Sequence, residues 1–588
     1  MTSIQSTAIE RSDALYRVQL YQDDHNPKSL CKRSLFYRPL PQGRRIYLVL
    51  FQLVLLANLR AVNDLFFQGF VVKYCGSHHA LTFISFASFP LLLCLPMGFI
   101  ADRYFGRAKV MYYSWIFLSI AQLMFVLHSV IAPYSKIAAI SIAIFGLLIA
   151  AISLAGIWVN IIPFGVDQMR TASSEELSSF FHWHYWCWNL GVLFAFSFGG
   201  YIVELKGKTS FLPYSVSFAV AILGTTINIV GYNWFIKREK VGNPLLLIYR
   251  VLRYAVTAKK PAERSAFSFD DRPEPSKIDL AKQTHYGIFR DEQVEDVKTF
   301  LRILVFIALL FGYLCVLSLL GNLYIDQSVY FQQPSSFSHD HQLNDSNCKN
   351  ISKCANHLNN NSTITIHELH GPYALYWVLL INIATVLLLI PILDRAVYPF
   401  WFLWIPNMFN RIGSGLVTSF TGIACALAVE VVRISRSNTA LQINSFLDII
   451  VFSVDIPVWV LAPQFLIQAL AECLVYITML EFIYAQSPAY MKSLLLGFLF
   501  FTEGVAYMLG SVLFWSQSKG KSVYWQYLRQ IASKEHDKEW YCACVDTGSC
   551  LPAYTIIALV TIIAGILFLY FARKYKIRTR GNALRYFL

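Results

Sequence analysis

The sequence predicts an all-α membrane protein with twelve transmembrane helices arranged as two six-helix bundles. Its 588 residues are 56% hydrophobic and only 14% charged, whereas soluble globular chains are roughly 45–50% apolar and about 25% charged. Such a chain cannot cover itself with polar side chains in water, which excludes a soluble enzyme, a secreted disulfide scaffold and a disordered protein. Twelve apolar segments, split six and six by about sixty polar residues, then indicate two bundles.

Each predicted span is a run of about 20 mainly apolar residues, enough to cross the hydrocarbon core of a bilayer. The polar and basic tail 1–45 precedes them and lacks the apolar core of a cleavable signal peptide. The first bundle covers 46–236, the linker 237–298, the second bundle 299–572 and the final tail 573–588. The spans are predicted at 46–70, 80–100, 110–131, 138–165, 180–203, 211–236, 299–325, 372–393, 411–432, 457–484, 492–516 and 551–572.

The distribution of basic residues predicts that both termini and the linker are cytoplasmic. The net charge is +14, and most of the 49 Lys and Arg residues fall in the tails, the linker and the short turns on that same side. Cytoplasmic segments carry such an excess in membrane proteins. The predicted outside loop 517–550, with five basic residues, is the exception. The positive charge is thus assigned to the cytoplasmic side, no nucleic-acid partner is predicted, and plasma and endolysosomal membranes both remain open.

Two predicted outside loops agree with this orientation. The 326–371 loop holds four sequons for N-glycosylation, which occurs on lumenal surfaces, at Asn344, Asn350, Asn360 and Asn361. The same loop contains Cys348 and Cys354, a disulfide candidate on the oxidising side of the membrane. The 517–550 loop contains three more cysteines, and their pairing is left open.

A charged turn at residues 98–109 joins spans two and three and reads Gly-Phe-Ile-Ala-Asp-Arg-Tyr-Phe-Gly-Arg-Ala-Lys. Its Asp102, Arg103 and Arg107 can form ion pairs that break and re-form as two bundles move. A weaker version, Asp-Arg at 394–395, follows span eight. The turn resembles the signature loop of the major facilitator superfamily, and the resemblance implies a conformational role for these three residues.

Further motifs follow in order along the chain. Residues 180–191 resemble the Phe-Tyr-x-x-Ile-Asn-x-Gly signature of the proton-dependent oligopeptide transporter family, and 165–168 resemble its Gly-Ala-Asp-Gln. Residues 471–488 and 491–493 are similar to the family's span-ten motifs and its Met-Lys-Ser. Among relatives the sequence looks nearest the peptide/histidine branch. The resemblance implies inward transport of oligopeptides, and of histidine in that branch, with protons and by alternating access, and it implies no metal or organic cofactor.

The resemblance also implies a substrate site. Glu472 in span ten and Asn382 in span eight match the family's partners of the peptide amine. Asn160 in span four and Tyr324 in span seven match positions that contact the peptide backbone.

Several family residues are replaced, mainly at the end that holds the peptide carboxylate. The family's Glu-x-x-Glu-Arg run in span one aligns with Gln52, Leu55 and Leu56, and its span-four Lys aligns with Trp158. Arg60, one turn further along span one, is a candidate replacement for the missing cation. The alternative is that Arg60 and Asp64, four residues apart on one helical face, neutralise each other.

Buried charge identifies the candidates for proton coupling. A charged residue at the bilayer centre costs at least ~2.5 kcal/mol, so it is a functional candidate by default. Glu472, Glu503 and Asp64 are therefore predicted proton-coupling candidates, although Glu503 could instead pair with a polar neighbour. His182 and His184 are interpreted as anchors at the membrane interface.

Two alternative functions remain open at this point. The missing cations at the carboxylate end favour a proton-independent facilitator or exchanger of an amine-bearing solute. A receptor or adaptor that has lost transport would use the linker, residues 237–297, to bind a cytosolic partner. The simpler interpretation of that linker is a solvated tether with one amphipathic helix near Pro244–Val256.

Overall fold

A computed structural model describes most of both predicted bundles. The four predicted glycosylation sites and the Cys348–Cys354 pair lie outside the described residues. The structure describes residues 44–75, 86–169, 174–199, 211–237, 243–258, 276–285, 287–320, 323–332, 367–368, 373–398, 408–436, 440–444, 449–488, 490–518, 544–545 and 550–575.

Helices dominate the described part of the chain. In the first half they are α1 (Arg44–Cys75), α2 (Ser88–Ile100), α3 (Arg107–Ile131), α4 (Lys136–Asp167), α5 (Ser174–Phe194), α6 (Leu212–Gly231) and the linker helix α7 (Pro244–Thr257). In the second half they are α8 (Asp291–Leu309), α9 (Phe311–Leu319), α10 (Leu323–Val329), α11 (Tyr373–Ile392), α12 (Met408–Ser435), α13 (Ala462–Gln486), α14 (Lys492–Ser518) and α15 (Leu551–Lys574). Predicted spans one to six are thus α1–α6, span seven is α8–α10, and spans eight to twelve are α11–α15.

Ten segments among the described residues are long and apolar enough to cross a membrane. The helices α2 and α5, at predicted spans two and five, are not among these ten. The described part of α2 is short, 13 residues, and α5 begins Ser-Glu-Glu and carries two histidines. Both pack against helices of the two bundles, so burial against protein compensates for the less apolar sequence of α5.

The packing of the helices follows an internal two-fold repeat. In the first bundle α1 packs on α5, α2 on α4 and α3 on α6; the equivalent pairs six spans later are α9 with α14, α11 with α13 and α12 with α15. The contacts between the bundles repeat in the same way, because α2 packs on α14 while α11 packs on α5. The repeat extends to local structure, since a π-helical turn follows α2 at Ala101–Phe105 and another follows α11 at Leu393–Val397.

A small β-sheet departs from the all-α prediction. It is built on an antiparallel hairpin, β3 (Ala440–Asn444) and β4 (Ile449–Pro457), in which Gln442 lies opposite Val451. Three two-residue strands complete it: β1 (Phe331–Gln332) and β5 (Cys544–Val545) pair with β4, and β2 (His367–Glu368) pairs with β3. β4 is rich in β-branched residues, which favours a strand. Both long loops that were predicted to lie outside thus contribute to one sheet.

The linker helix α7 confirms the predicted amphipathic segment. Asn243 caps its first turn by accepting the Leu246 N–H at 3.3 Å, and proline at the first helical position suits a helix start. Its apolar face, which includes Ile248 and Val251, is buried, whereas Arg250 and Arg253 are exposed. The helix packs on α8, which begins at Asp291 rather than at the predicted 299.

An ion-pair cluster fastens the end of the linker to α8. Lys298 contacts Asp279 at 2.8 Å and Glu295 at 3.1 Å, and Lys282 contacts Asp279 at 2.7 Å and also pairs with Glu295. Partial burial acts to raise the pKa of Asp279, but hydrogen bonds from the two lysines outweigh it and hold that pKa well below its usual range. These carboxylates therefore stay charged at every physiological pH.

Candidate functional site between the bundles

Glu472 lies at the contact between the two bundles. Its carboxylate accepts a hydrogen bond from the Tyr185 hydroxyl at 2.7 Å and another from Asn382 Nδ2 at 3.0 Å. Tyr185 belongs to α5 in the first bundle, whereas Glu472 and Asn382 belong to α13 and α11 in the second. The side chain is only 3% exposed, and both described partners are uncharged. Glu472 is therefore a buried acid that links the bundles and has no described cation beside it.

A second buried acid, Glu503 on α14, lies close to the first. It accepts a hydrogen bond from the Tyr476 hydroxyl at 3.1 Å. The Tyr476 ring in turn lies against the Tyr185 ring, with 5.0 Å between centroids. Two packed tyrosines therefore connect the two acids.

Arg60 on α1 points its guanidinium at two tryptophans. The guanidinium carbon is 5.3 Å from the centre of the Trp158 ring and 5.8 Å from that of Trp188, and the two rings are 4.6 Å apart. Glu503 lies within electrostatic range of this cation. Asp64, one turn further along α1, is partly buried.

A small cavity lies beside these groups. His184 contributes to its wall, is only 6% exposed, and has a buried Nδ1 without a hydrogen-bond partner. The remaining wall is mostly aromatic and comes from α4, α5, α13 and α14. The lining residues are Trp158, Ile162, His184, Tyr185, Trp188, Tyr476, Leu480 and Phe500.

Neither of the two predicted backbone-contact residues hydrogen-bonds to the two acids among the described residues. Asn160 donates to its own helix at Gly156 O, 2.8 Å away, and its Oδ1 is buried without a partner. Tyr324 is buried against Phe465, whose carbonyl is 3.4 Å from Asn382 Nδ2, and its hydroxyl also has no partner. Neither side chain is among the described hydrogen-bond partners of Glu472. Each has one buried polar atom without a described hydrogen-bond partner.

The predicted charged turn forms a connection between the bundles. Arg107 reaches Asp102 at 3.2 Å and Asp167 at 3.0 Å, and it donates to the Ser493 hydroxyl at 2.9 Å. Asp102 also accepts the Leu494 N–H at 3.0 Å, in the first turn of α14, where helix N–H groups lack partners within the helix. We call this contact the first latch. Arg103 lies instead over the ring of its neighbour Tyr104, 4.8 Å from the ring centre.

The internal repeat produces an equivalent second latch at Asp394. Its carboxylate accepts a hydrogen bond from the Ser179 hydroxyl on α5 at 3.0 Å and lies 3.9 Å from His182 Nδ1. Both His182 and His184 are buried. The interpretation of these histidines as interface anchors was wrong, because α5 faces the second bundle over this stretch. His182 instead lies beside the latch, with its Nδ1 hydrogen-bonded to the Ser178 carbonyl at 2.8 Å, and His184 lines the cavity.

Sequence reasoning missed a buried ion pair in α12. Arg433 donates two hydrogen bonds to Glu430, at 2.9 and 2.7 Å, and both residues are at most 1% exposed. Glu430 also accepts from Gln327 and from the Cys550 N–H. The signal was present in the sequence, because an acid and a base three residues apart at the end of an apolar span imply a buried pair.

The fold and the site together define a polytopic membrane protein with the architecture of the major facilitator superfamily. A sequence profile of the POT family matches residues 108–339 and 374–528, which is well over half of the chain. The chain therefore belongs to the POT family, as the motifs at residues 165–191 and 471–493 predicted.

Individual relatives are distant. Mouse solute carrier family 15 member 3 is 25% identical over 373 residues, and this match covers 62% of the chain but only 60% of the mouse protein. Protein NRT1/PTR FAMILY 6.2 of Arabidopsis thaliana is 23% identical over 84% of both chains. The crystal structure of an auto-inhibited POT family peptide transporter superposes with a TM-score of 0.61 at 16% identity, over 93% of this chain and 100% of that one. The structure of the POT family transporter PepTSo gives 0.59 at 15%, over 92% and 99%. These two superpositions support the fold.

Proposed function

We propose that this protein is a secondary transporter that moves oligopeptides, with histidine as a further candidate substrate, together with protons. The observation that carries the proposal is the buried Glu472 between the bundles, held by Tyr185 and Asn382. A carboxylate in that position binds either a proton or the ammonium group of a substrate. Because its hydrogen-bond partners lie in both bundles, binding at Glu472 changes a contact of each bundle.

Residues around Glu472 have distinct roles in this proposal. Glu472 and Asn382 bind the amine, and Asn160 and Tyr324 use their unpartnered polar atoms for the peptide backbone. Glu503 and Asp64 are further proton-coupling candidates. Arg60 is the candidate partner for a carboxylate, although its position over Trp158 and Trp188 already gives it aromatic contacts.

The two latches support alternating access. Each joins the end of one helix to the partner bundle through a buried aspartate. Asp102, after α2, accepts a hydrogen bond from α14, and Asp394, after α11, accepts one from α5. Because the latches are related by the internal repeat, opening both of them lets one bundle rotate against the other. We propose that this end of the molecule is cytoplasmic and that the structure is closed there.

The β-sheet supports the proposed sidedness. The loops 326–371 and 517–550 both contribute strands to it, which supports a common side for them. We assign that side to the lumen or cell exterior, with glycans at Asn344, Asn350, Asn360 and Asn361, a Cys348–Cys354 disulfide, and both termini in the cytoplasm.

One alternative is a proton-independent facilitator of an amine-bearing solute, favoured because no Lys or Arg is among the lining residues of the cavity. The other is a receptor or adaptor without transport that binds a cytosolic partner through residues 237–297. The exposed Arg250 and Arg253 of α7 offer a basic surface for it.

The test is uptake of a labelled dipeptide by the purified full-length protein in proteoliposomes, with and without an inward proton gradient. The proposal predicts uptake that the gradient accelerates. Uptake without any effect of the gradient would indicate a facilitator. A folded protein that takes up neither dipeptides nor amines would contradict the transport proposal. Empty liposomes control for leakage of the probe.

A further inference from the structure

The linker helix α7 carries an exposed apolar strip in addition to the apolar face that it buries. Ile248 and Val251 face the protein and are buried. On another side of the helix, Leu245, Tyr249 and Val256 are 40%, 58% and 83% exposed. At 3.6 residues per turn these three residues lie within about 40° of one another around the helix axis. They therefore form one continuous strip, which we call the outer strip.

Two arginines flank the outer strip. Arg253 follows the strip around the helix, Arg250 comes after it, and both side chains are exposed. The helix contains no Asp or Glu. The surrounding sequence is basic as well, since residues 237–264 hold eight Lys and Arg against two Glu. The exposed side of α7 thus combines apolar and positively charged groups.

This combination is typical of a helix at a membrane surface. The solvent side of a helix that faces water is normally polar, so a simple tether gains nothing from exposing Tyr249 and Val256. Neighbouring exposed apolar residues with a charged rim mark interaction sites. Helices that lie in the plane of a membrane interface direct apolar side chains towards the acyl chains and place Lys and Arg among the headgroups.

Packing holds α7 beside a membrane span. The helix begins shortly after α6 ends at Gly231, and it packs on α8, the start of a segment long and apolar enough to cross a membrane. The Tyr254 ring lies edge-on to that of Phe289, 6.0 Å between centroids, just before α8 begins. The helix also contacts the turn Asp279–Ala281, which the ion-pair cluster fastens to α8. These contacts keep α7 next to the end of a span.

We propose that the outer strip and its two arginines bind the cytoplasmic surface of the membrane, with anionic phospholipids as the partner. The apolar side chains insert among the headgroups, and the guanidinium groups donate hydrogen bonds to phosphate and carboxylate oxygens. Charge complementarity selects anionic lipids, which are abundant in the cytoplasmic leaflet. The choice of leaflet rests on the proposed sidedness, whereas lipid binding itself does not depend on transport.

The adaptor alternative assigns the same arginines to a cytosolic protein. The outer strip beside them favours a lipid surface instead, because it continues the apolar character of the neighbouring span up to the basic groups. A basic surface for a soluble acidic partner needs no such strip.

The first experiment measures hydrogen exchange of the α7 backbone amides in the full-length protein. The protein is reconstituted in nanodiscs of phosphatidylcholine alone or of an equimolar mixture with phosphatidylserine, which expose both membrane faces and so remove any dependence on sidedness. A lipid that binds only the folded helix slows the local opening that exchange requires. Each arginine near an anionic surface strengthens association roughly fivefold, so residues 247–257 should exchange at least about fivefold more slowly in the mixed discs. Phosphatidylglycerol in place of phosphatidylserine should have the same effect, because the charge is recognised.

A charge variant tests the arginines. Arg250→Gln combined with Arg253→Gln removes both charges from an exposed surface and should abolish the difference between the two kinds of disc. The matched control combines Lys109→Gln with Arg573→Gln, which removes two exposed charges from α3 and α15. This control should keep the full effect of phosphatidylserine on α7.

A second variant tests the outer strip. Tyr249→Gln combined with Val256→Gln should accelerate exchange of α7 in both kinds of disc, because insertion of apolar side chains does not require charged lipid. Glutamine is a better helix former than tyrosine or valine, so faster exchange in this variant reports the lost membrane contact.

The outcomes separate this inference from the proposed function. Equal exchange of wild-type α7 in the two kinds of disc would overturn the inference and leave the arginines to a cytosolic protein. An undiminished effect of phosphatidylserine in the charge variant, or an equal loss in its control, would overturn it as well. Slower exchange in anionic discs by a protein that transports no solute would support the inference and contradict the transport proposal. Should the charge variant fail to fold, the wild-type comparison between discs still decides the matter.

Discussion

The first latch makes a quantitative prediction about the conformational equilibrium. Asp102 holds Arg107 within its own bundle, but its bond to the Leu494 N–H crosses to the other bundle. The variant Asp102→Asn keeps the shape of the side chain and removes its charge. A hydrogen bond to a charged group contributes about 1.5–3 kcal/mol and a neutral one about 0.5–1.5, so the closed state loses about 1–2 kcal/mol. This corresponds to a roughly fivefold to thirtyfold shift towards the open state.

The assay is a distance measurement between spin labels on the two bundles at this end. Lys109 on α3 and Asn410 on α12 are exposed and suit double electron–electron resonance. In Asp102→Asn the population at long distances should increase relative to the parent. The internal repeat predicts a shift in the same direction for Asp394→Asn, which weakens the bond from Ser179. An unchanged distance distribution in Asp102→Asn, or a shift towards shorter distances, would refute the latch.

Three further predictions concern stability. Arg433→Met should destabilise the protein by about 3–5 kcal/mol, because it leaves Glu430 buried without its cation, and adding Glu430→Gln should recover part of that loss in a detergent unfolding assay. Gly191→Ala should reduce the melting temperature, since the new Cβ would meet the Val54 carbonyl and lie 2.8 Å from Ala57 Cβ, an overpacking that costs about 1–3 kcal/mol. The control is Gly565→Ala, whose new Cβ has no atom within 4 Å. Equal effects of the two substitutions would contradict the close contact between α5 and α1. The linker cluster should show unchanged hydrogen exchange at residues 279–285 between pH 5 and 8, after correction for the intrinsic pH dependence. The pKa of Asp279 is lowered in the folded protein, so its stabilisation is complete above about pH 4. That stabilisation is lost only as the pH falls towards the folded-state pKa. Loosening near pH 6 would show that another group holds the linker.

Much of the fold could be predicted because the bilayer restricts the choice of structure. Apolar runs long enough to span a membrane must be helices or closed barrels, and the six-plus-six spacing then indicates two bundles. The linker helix could be located as well, since a proline start and an apolar face are local features of the sequence. The sheet at one end was missed because short strands such as β1 and β5 are stabilised by pairing with distant segments, which leaves little local signal.

The candidate site was less predictable for a physical reason. A single sequence identifies buried charges, so Glu472, Glu503 and Arg60 were all singled out. Their partners depend on how the helices are rotated and packed. The contact of Glu472 with Tyr185 joins residues 287 positions apart in the chain, and the position of Arg60 over two tryptophans requires three helices. The buried location of His182 and His184 likewise follows from which face of α5 meets the second bundle.

The central claim is that Glu472 binds both the proton and the substrate amine where the two bundles meet. The most direct test compares two modes of transport by Glu472→Gln in proteoliposomes loaded with the substrate that the wild type accepts. The account predicts loss of gradient-driven uptake, with exchange of labelled for unlabelled substrate at equal pH retained only at higher substrate concentrations. The amide keeps the hydrogen bond from Tyr185, but it takes up no proton and offers the substrate amine no negative charge. Gradient-driven uptake at the wild-type rate in this variant would contradict the account.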